Sequence, residues 1–227
     1  MNCSAIILSG GRGTRMMRSI PKQYLLLAGK PIIMHSLERI DRLESVKEFI
    51  IVCEAQYQET ITVMCQQYGI DKPVCFAPAG STRQESVFNA VKIAKNPVTL
   101  LHEAARPFVL LEEFSALLDS SDKNITYGYP IPFTVAVGGN RIENTLDRAS
   151  LFNVQLPQKF DTVLLLEAHE KAEALGKTYT EDACMLFDIL GADVTVIKGS
   201  SVNLKISEPV DLLTGEEIYK EFIATRK

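Results

Sequence analysis

Short apolar runs alternate along this chain with segments whose apolar residues recur every three or four positions, and that alternation predicts an α/β fold. Ala5–Leu8 is rich in β-formers and reads as a central strand of a parallel sheet, buried on both faces. Pro31 opens a helix in which Ile33, Leu37 and Ile40 recur at helical spacing, and Val46–Cys53 is the next apolar strand. Residues 57–68 read as a helix, 73–77 as a strand, and 82–95 as a helix with Val87, Ala90, Val91 and Ala94 on one face. Val98–Leu101 is a further strand, 110–120 a helix and Ile125–Ile131 a strand. Helices at 161–175 and 180–190, a strand at Val194–Lys198 and a terminal helix over 209–224, opened by Pro209, complete the series. Strands and helices in this order predict a mostly parallel, twisted sheet with helices on both faces.

The alternation breaks at residues 132–148. Thr134–Val137 and Arg141–Thr145 flank Gly138-Gly139-Asn140 and read as a hairpin inserted into the α/β chain. Two strands alone are marginal in water, so this arm should lie against something, either a second subunit or its own domain. No repeat, low-complexity stretch or linker divides the rest, and residues 1–227 read as a single domain carrying that arm.

Composition narrows the picture. The chain has 227 residues, 46% hydrophobic and 23% charged, with a net charge of −4. Nothing global therefore suggests a nucleic-acid or anionic-membrane partner. No apolar run reaches the roughly 20 residues needed to span a bilayer, and the start runs into a strand without a cleavage pattern, so a cytoplasmic location is expected. The cysteines, Cys3, Cys53, Cys65, Cys75 and Cys184, are odd in number and form no C-x-x-C pair, which predicts reduced, mostly buried thiols rather than a disulfide frame or zinc site.

The basic residues that matter are local. After the first strand come Ser9, Gly10, Gly11 and Gly13, whose missing Cβ atoms let successive N–H groups converge on an anion. Arg12, Arg15, Arg18 and Lys22 follow, at the strand end where α/β proteins bind ligands, and together they favour a polyphosphate. The spacing is not that of a dinucleotide fingerprint, because Met16 stands where Gly or Ala is required, and no Gly-Lys-Ser/Thr makes a P-loop. A second candidate segment is Gly80-Ser81-Thr82-Arg83-Gln84-Glu85-Ser86, with Ser81 as the expected helix N-cap, so free N–H groups face the same sheet edge. A third is His102-Glu103-Ala104-Ala105-Arg106-Pro107 after a buried strand. It projects an acid and a base from that edge, with His102 read as a structural hydrogen-bonding residue.

The string Leu8-Ser-Gly-Gly-x-Gly-Thr14-Arg15-Met followed by Pro21-Lys22-Gln23-Tyr24 resembles the nucleotidyltransferases. Its Pro-Lys-Gln form resembles the methylerythritol-phosphate cytidylyltransferase family (IspD) and its ribitol-phosphate relatives. The likeness extends from Ala5 to about Leu212. It implies a Rossmann-like nucleotidyltransferase fold, an enzyme using CTP with Mg²⁺ and a polyol phosphate, and a homodimer through the arm. It also implies that Leu8, Ser9, Gly10, Gly11, Gly13, Thr14, Gly80, Ser81, Arg83 and Ser86 bind the nucleotide. Arg15 and Lys22 would act on the triphosphate, Glu103 with Mg²⁺ on bridging phosphate oxygens, and Lys205 where donor and acceptor phosphates meet. The resemblance places Arg106 on the incoming phosphate and Thr134, Arg148 and Lys205 around the acceptor, a set whose hydroxyl, bidentate fork and point charge suit a phosphate monoester.

Several positions depart from the family. Ala79 stands for Gly, Glu103 for Asp, Phe133 for Asp, Leu156 for the Thr of Gln-Thr-Pro-Gln, and Glu181-Asp182 exchange the family's two acids. Glu103 moves its carboxylate by roughly one C–C bond, ~1.5 Å. The losses at Phe133 and Leu156 remove hydrogen-bonding capacity, and predict that methylerythritol phosphate is a poor acceptor compared with another, such as ribitol 5-phosphate. Three other readings stay open. A sugar-1-phosphate nucleotidyltransferase would lack the Pro-Lys-Gln, Arg-Pro and Asn-x-Lys set, a nucleotide-sugar glycosyltransferase would carry an Asp-x-Asp motif, and a nucleotide-binding module would have lost turnover.

Overall fold

The computed structural model describes residues 1–11, 13, 16 and 20–224. In chain order the elements are strand β1 (Cys3–Leu8), a two-residue antiparallel pair β2 (Leu26–Leu27) and β3 (Lys30–Pro31), α1 (Ile32–Asp41), β4 (Val46–Cys53), α2 (Gln58–Gln67), β5 (Val74–Pro78) and α3 (Arg83–Val91). There follow β6 (Val98–Glu103), α4 (Leu111–Asp119), β7 (Ile125–Pro130), β8 (Val135–Gly138), β9 (Ile142–Leu146) and β10 (Phe152–Asp161). The chain ends with α5 (Thr162–Ala174), α6 (Asp182–Leu190), β11 (Thr195–Lys198) and α7 (Pro209–Ile218), which passes into a π-helical turn at Tyr219–Ile223. The terminal helix read over 209–224 is therefore shorter as an α-helix.

Seven strands form one sheet in the order β11-β7-β10-β6-β1-β4-β5. Strand β1 lies between β4 and β6 in parallel register, and side chains alternate across it: Ala5 and Ile7 join the cluster under α1 and α4, whereas Ile6 joins the cluster under α3 and α5. Phe49, Ile51, Leu37 and Phe114 fill the first layer, and Ile50, Val52, Val87, Leu101 and Leu165 the second. A smaller third cluster packs Leu27, Ile32, Phe108, Ile206 and Ile223 beside the C-terminal helix. Cys3, Cys53 and Cys65 are buried free thiols, whereas Cys184 is exposed. Among the described residues, no helix is long and apolar enough to cross a membrane.

One central strand departs from the sequence reading. β10 runs antiparallel to both β6 and β7 in an otherwise parallel sheet. Its sequence, Phe-Asn-Val-Gln-Leu-Pro-Gln-Lys-Phe-Asp, carries polar residues and a mid-strand proline, which argue against a central strand. The sheet accommodates it with a register shift between Gln155 and Gln158, around a cis Leu156–Pro157 bond. Two of its buried polar side chains find acceptors across the fold, Lys159 Nζ donating to the Ser120 carbonyl at 2.7 Å and Gln158 Nε2 to Thr126 Oγ1 at 2.9 Å.

The arm forms where the sequence placed it. β8 and β9 pair antiparallel, with a bulge at Gly138, whose φ of +146° and contact with the Arg141 carbonyl exclude a side chain. Residues 136–150 are exposed throughout, including Val137, Ile142 and Leu146.

Candidate active site

The carboxyl ends of β1, β4, β5 and β6 open onto a cleft of about 540 Å³. Its first wall is the glycine loop. Ser9 N–H donates to the Val52 carbonyl (2.9 Å), and the Leu8 carbonyl accepts from Ala104 N–H (3.0 Å), so the loop leaves the sheet tied to both neighbouring strands. Gly10 passes against Ala79 so closely that a Cβ would stand 2.6 Å from that methyl group. Ala79 thus makes glycine at position 10 obligatory. Two residues of Pro21-Lys22-Gln23-Tyr24 hold the loop from behind. Gln23 Nε2 donates to the carbonyls of Ser9 (2.6 Å) and Gly11 (3.2 Å), and Tyr24 Oη lies 3.2 Å from Ser9 Oγ. Burial pushes the Tyr24 phenol up to about 12, so it stays protonated. Gln23 and Tyr24 are buried, and Lys22 just before them lines the cleft.

The second wall is the turn into α3. The N-cap is Thr82, whose Oγ1 accepts from Glu85 N–H at 3.1 Å, rather than Ser81 as the sequence suggested. Ser81 instead donates its N–H and hydroxyl to Glu85 Oε2, both at 2.6 Å, which holds the Glu85 carboxyl below its usual range. Ser86 Oγ bridges the turn, donating to the Thr82 carbonyl (2.8 Å) and accepting from Gly80 N–H (3.0 Å). A Cβ on Gly80 would strike the Glu85 side chain at 2.5 Å.

Charge is concentrated at the floor. Glu103, 6% exposed at the end of β6, accepts from Arg106 Nε at 3.0 Å and from Lys205 Nζ at 2.8 Å, with Arg83 Nε 3.9 Å away. Burial alone would raise its carboxyl, but Lys205, Arg106 and Arg83 outweigh that and bring it down to about 2, so it is ionised at neutral pH. Arg83 reaches out of α3 into a cage of acids, with Nη1 2.6 Å from Asp182 Oδ2 and Nη2 3.7 Å from Glu181 Oε2. Burial disfavours its charge, yet Asp182, Glu181 and Glu103 outweigh it and hold the guanidinium protonated. Asp182, 2% exposed, also meets His169 Nε2 at 3.1 Å, and the His169 ring stacks on Phe88 of α3. His102 is fully buried. Burial, then Arg106, pushes it down to about 3, and its neutral ring lies 3.1 Å from Ser36 Oγ and from the Arg106 carbonyl, which fits a structural residue.

The cleft therefore gathers Leu8, Ser9, Gly10, Gly11, Lys22, Gly80, Ser81, Arg83, Ser86, Glu103 and Lys205 from four separate segments. Gly13, at φ +62°, packs beside Lys22. Thr14 and Arg15, with Arg12 and Arg18, lie outside the described residues. Arg106 stands behind Glu103 and is spent on it and on Asn203. Thr134 and Arg148 are not brought to the cleft. They sit at the base of the arm, where Arg148 Nη1 donates to the Pro132 carbonyl (2.9 Å) and lines a separate concavity with Phe152 and Lys198. Leu156 is 0% exposed and packs in the core with Val87 and Phe160, so the hydroxyl missing there alters packing, not the cleft's lining. Gln23, Tyr24, Asp182, Gln155 and Asn203 support the site without having been singled out as site residues. They act through backbone groups or behind other side chains, so their places in the family motifs gave no sign of which group each would hold.

Comparison with known proteins gives one consistent family. The model described as IspD, 2-C-methyl-D-erythritol 4-phosphate cytidylyltransferase, matches residues 3–221. The 2-C-methyl-D-erythritol 4-phosphate cytidylyltransferase of Geobacillus thermodenitrificans is 35% identical, with 99% of this chain and 100% of that one covered. The protein of that name from Chlamydia pneumoniae is 36% identical over 95% of this chain and 98% of its own. Among solved structures, the 4-diphosphocytidyl-2C-methyl-D-erythritol synthase of Anaerococcus prevotii superposes with a TM-score of 0.84 at 24% identity, covering 97% of this chain and 96% of that one. The Francisella tularensis 2-C-methyl-D-erythritol 4-phosphate cytidylyltransferase superposes with a TM-score of 0.78 at 26% identity, covering 96% and 100%.

Proposed function

The chain belongs to the 2-C-methyl-D-erythritol 4-phosphate cytidylyltransferase (IspD) family, and from that premise we propose that it transfers CMP from CTP to 2-C-methyl-D-erythritol 4-phosphate. The observation that carries this reading is the convergence of Arg83 and Lys205 on the ionised Glu103 carboxylate, in a cleft that Lys22 and the glycine loop also line. An oxygen of the acceptor's phosphate attacks the α-phosphorus of CTP. The new P–O bond forms as the bond to the bridging oxygen breaks, and pyrophosphate leaves with that electron pair. Both reactants are polyanions, so the work lies in alignment and charge neutralisation rather than in a protein nucleophile. Lys22, at the glycine loop, neutralises the triphosphate. Lys205, 39% exposed in its side chain, is placed to meet the oxygens between donor and acceptor.

The residues present fit Mg²⁺ held in its usual nucleotide-site manner, by one or two carboxylates with the remaining ligands from phosphate and water. Glu103 supplies the ionised carboxylate, and among the described residues no group of three or more His, Cys, Asp or Glu forms a closed cage. Bound there, the ion would neutralise phosphate oxygens as charge moves to the leaving group.

Methylerythritol phosphate is favoured as acceptor over ribitol 5-phosphate for two reasons. The relatives described above carry the methylerythritol name, and one of the sequence arguments against it falls away with Leu156 in the core. The test is pyrophosphate release with CTP and each acceptor. The expected result is a higher kcat/KM for methylerythritol phosphate, with ATP and UTP poor donors; faster turnover of ribitol 5-phosphate would reverse the acceptor assignment.

The exposed arm supports a homodimer, since Phe133 (76% exposed), Ile142 (76%) and Leu146 present apolar surface that a lone chain leaves in water. Deletion of residues 135–144 is expected to give a monomer that binds CTP as before but has lost acceptor turnover. Light scattering checks the first point, and a monomeric intact protein at micromolar concentration rejects the arm as a dimer contact.

A further inference from the structure

Lys205 lies on a segment, residues 200–206, that belongs to no helix or strand, yet its ammonium must be placed to a fraction of an ångström to serve two phosphates. The gap this segment crosses is made by β10. The register shift between Gln155 and Gln158 takes Leu156 out of the ladder with β7, pairing with β6 begins only at Gln158, and Pro157 has no N–H to give. The backbone groups freed there are used to grip the Lys205 segment. Asn203, 4% exposed, donates its Nδ2–H to the Leu156 carbonyl at 2.7 Å, and its own carbonyl accepts from Arg106 Nη1 at 3.1 Å. Gln155 grips the start of the same segment in both directions, its Nε2 donating to the Ser200 carbonyl (3.0 Å) and its Oε1 accepting from Ser200 N–H (3.1 Å). Gly199 permits that approach, because a Cβ there would stand 2.2 Å from Gln155 Oε1. On the far side of Lys205, Ile206 N–H donates to the Ala105 carbonyl at 2.9 Å and its side chain is fully buried.

We infer that Asn203 and Gln155 are positioning residues that present Lys205 to the reacting phosphates. The inference rests on the role given to Lys205 above. Arg106 completes the arrangement by joining both sides, its Nε on Glu103 and its Nη1 on Asn203, so that carboxylate and ammonium move as one unit.

The experiment compares Asn203→Ala, Lys205→Ala and the double variant in pyrophosphate release, in CTP affinity by calorimetry, and in thermal midpoint. Asn203→Ala is expected to lower kcat at least tenfold while CTP affinity stays within twofold, because the glycine loop and the α3 turn are not touched. The double variant should be no more than twofold slower than Lys205→Ala alone, since a residue acting only through Lys205 has nothing left to position. Gln155→Met, which keeps side-chain length and loses both bonds to Ser200, should repeat the pattern and serves if Asn203→Ala does not fold. Wild-type turnover in the positioning variants, or losses that multiply in the double variant, would overturn the inference. Wild-type turnover in Lys205→Ala would instead remove the catalytic role of Lys205, a distinct failure.

Discussion

Lys22→Ala should lower kcat by roughly 10²–10³ while leaving the thermal midpoint nearly where it was. The magnitude is that of removing one preorganised charge-stabilising group from a polyanionic transition state, about 3–4 kcal/mol. The small stability effect follows from the local structure. Gln23 and Tyr24 hold the loop through Ser9 and Gly11, and these bonds survive the substitution. The loss should fall on kcat more than on KM for CTP, because the α3 turn with Gly80 and Ser86 remains to hold the nucleotide. Steady-state kinetics beside a melting curve separate these effects. Turnover unchanged from the intact protein would mean that Lys22 is solvated and takes no part, and a midpoint lowered by many degrees would mean that it is structural.

How far the sequence carries depends on what kind of group does the work. β1, β4 and β6 were legible because strands buried on both faces must be nearly continuously apolar, and Ala5–Leu8 and Val46–Cys53 are. The glycine loop was legible because close approach and positive φ demand residues of one type, as Gly10 against Ala79 illustrates. β10 was not legible, because its polar side chains bond to partners far along the chain, such as Ser120 for Lys159, that no local pattern reveals. The same reason hid the acids behind Arg83. As a capped helix start, residues 80–86 suggested a nucleotide contact, whereas the fold shows that one face of the guanidinium is already committed to Asp182 on α6. Thr134 and Arg148 bear on the other limit. Their residue types suit a phosphate, but a side chain at the base of an exposed arm meets the cleft of its own chain only if the backbone brings it there, and it does not.

Glu103→Gln should be costly for both activity and stability, and the two costs should separate with pH. The carboxylate lies among Arg106, Lys205 and Arg83, and its folded value of about 2 stands below the 4.5 of a free side chain. A depressed carboxyl contributes stability that is fully present above its unfolded value and is lost as pH falls through its folded value. At about 1.36 kcal/mol per unit, that shift amounts to roughly 3 kcal/mol at neutral pH. The amide cannot titrate. It leaves three cations facing one another at the end of β6, with Arg106 and Lys205 each losing the carboxylate they share. The variant is therefore expected to be less stable by about 3 kcal/mol at pH 7. The difference should shrink as pH is lowered below about 4.5 and vanish near 2, which denaturant melts across that range can follow. Activity should not recover in parallel, because loss of the only carboxylate proposed to hold Mg²⁺ removes turnover at every pH. Added Mg²⁺ should raise the melting midpoint of the intact protein in the presence of CTP and fail to do so in Glu103→Gln. An equal Mg²⁺ shift in both proteins would place the ion on the nucleotide alone and leave Glu103 as the counter-charge that fixes Lys205 and Arg106.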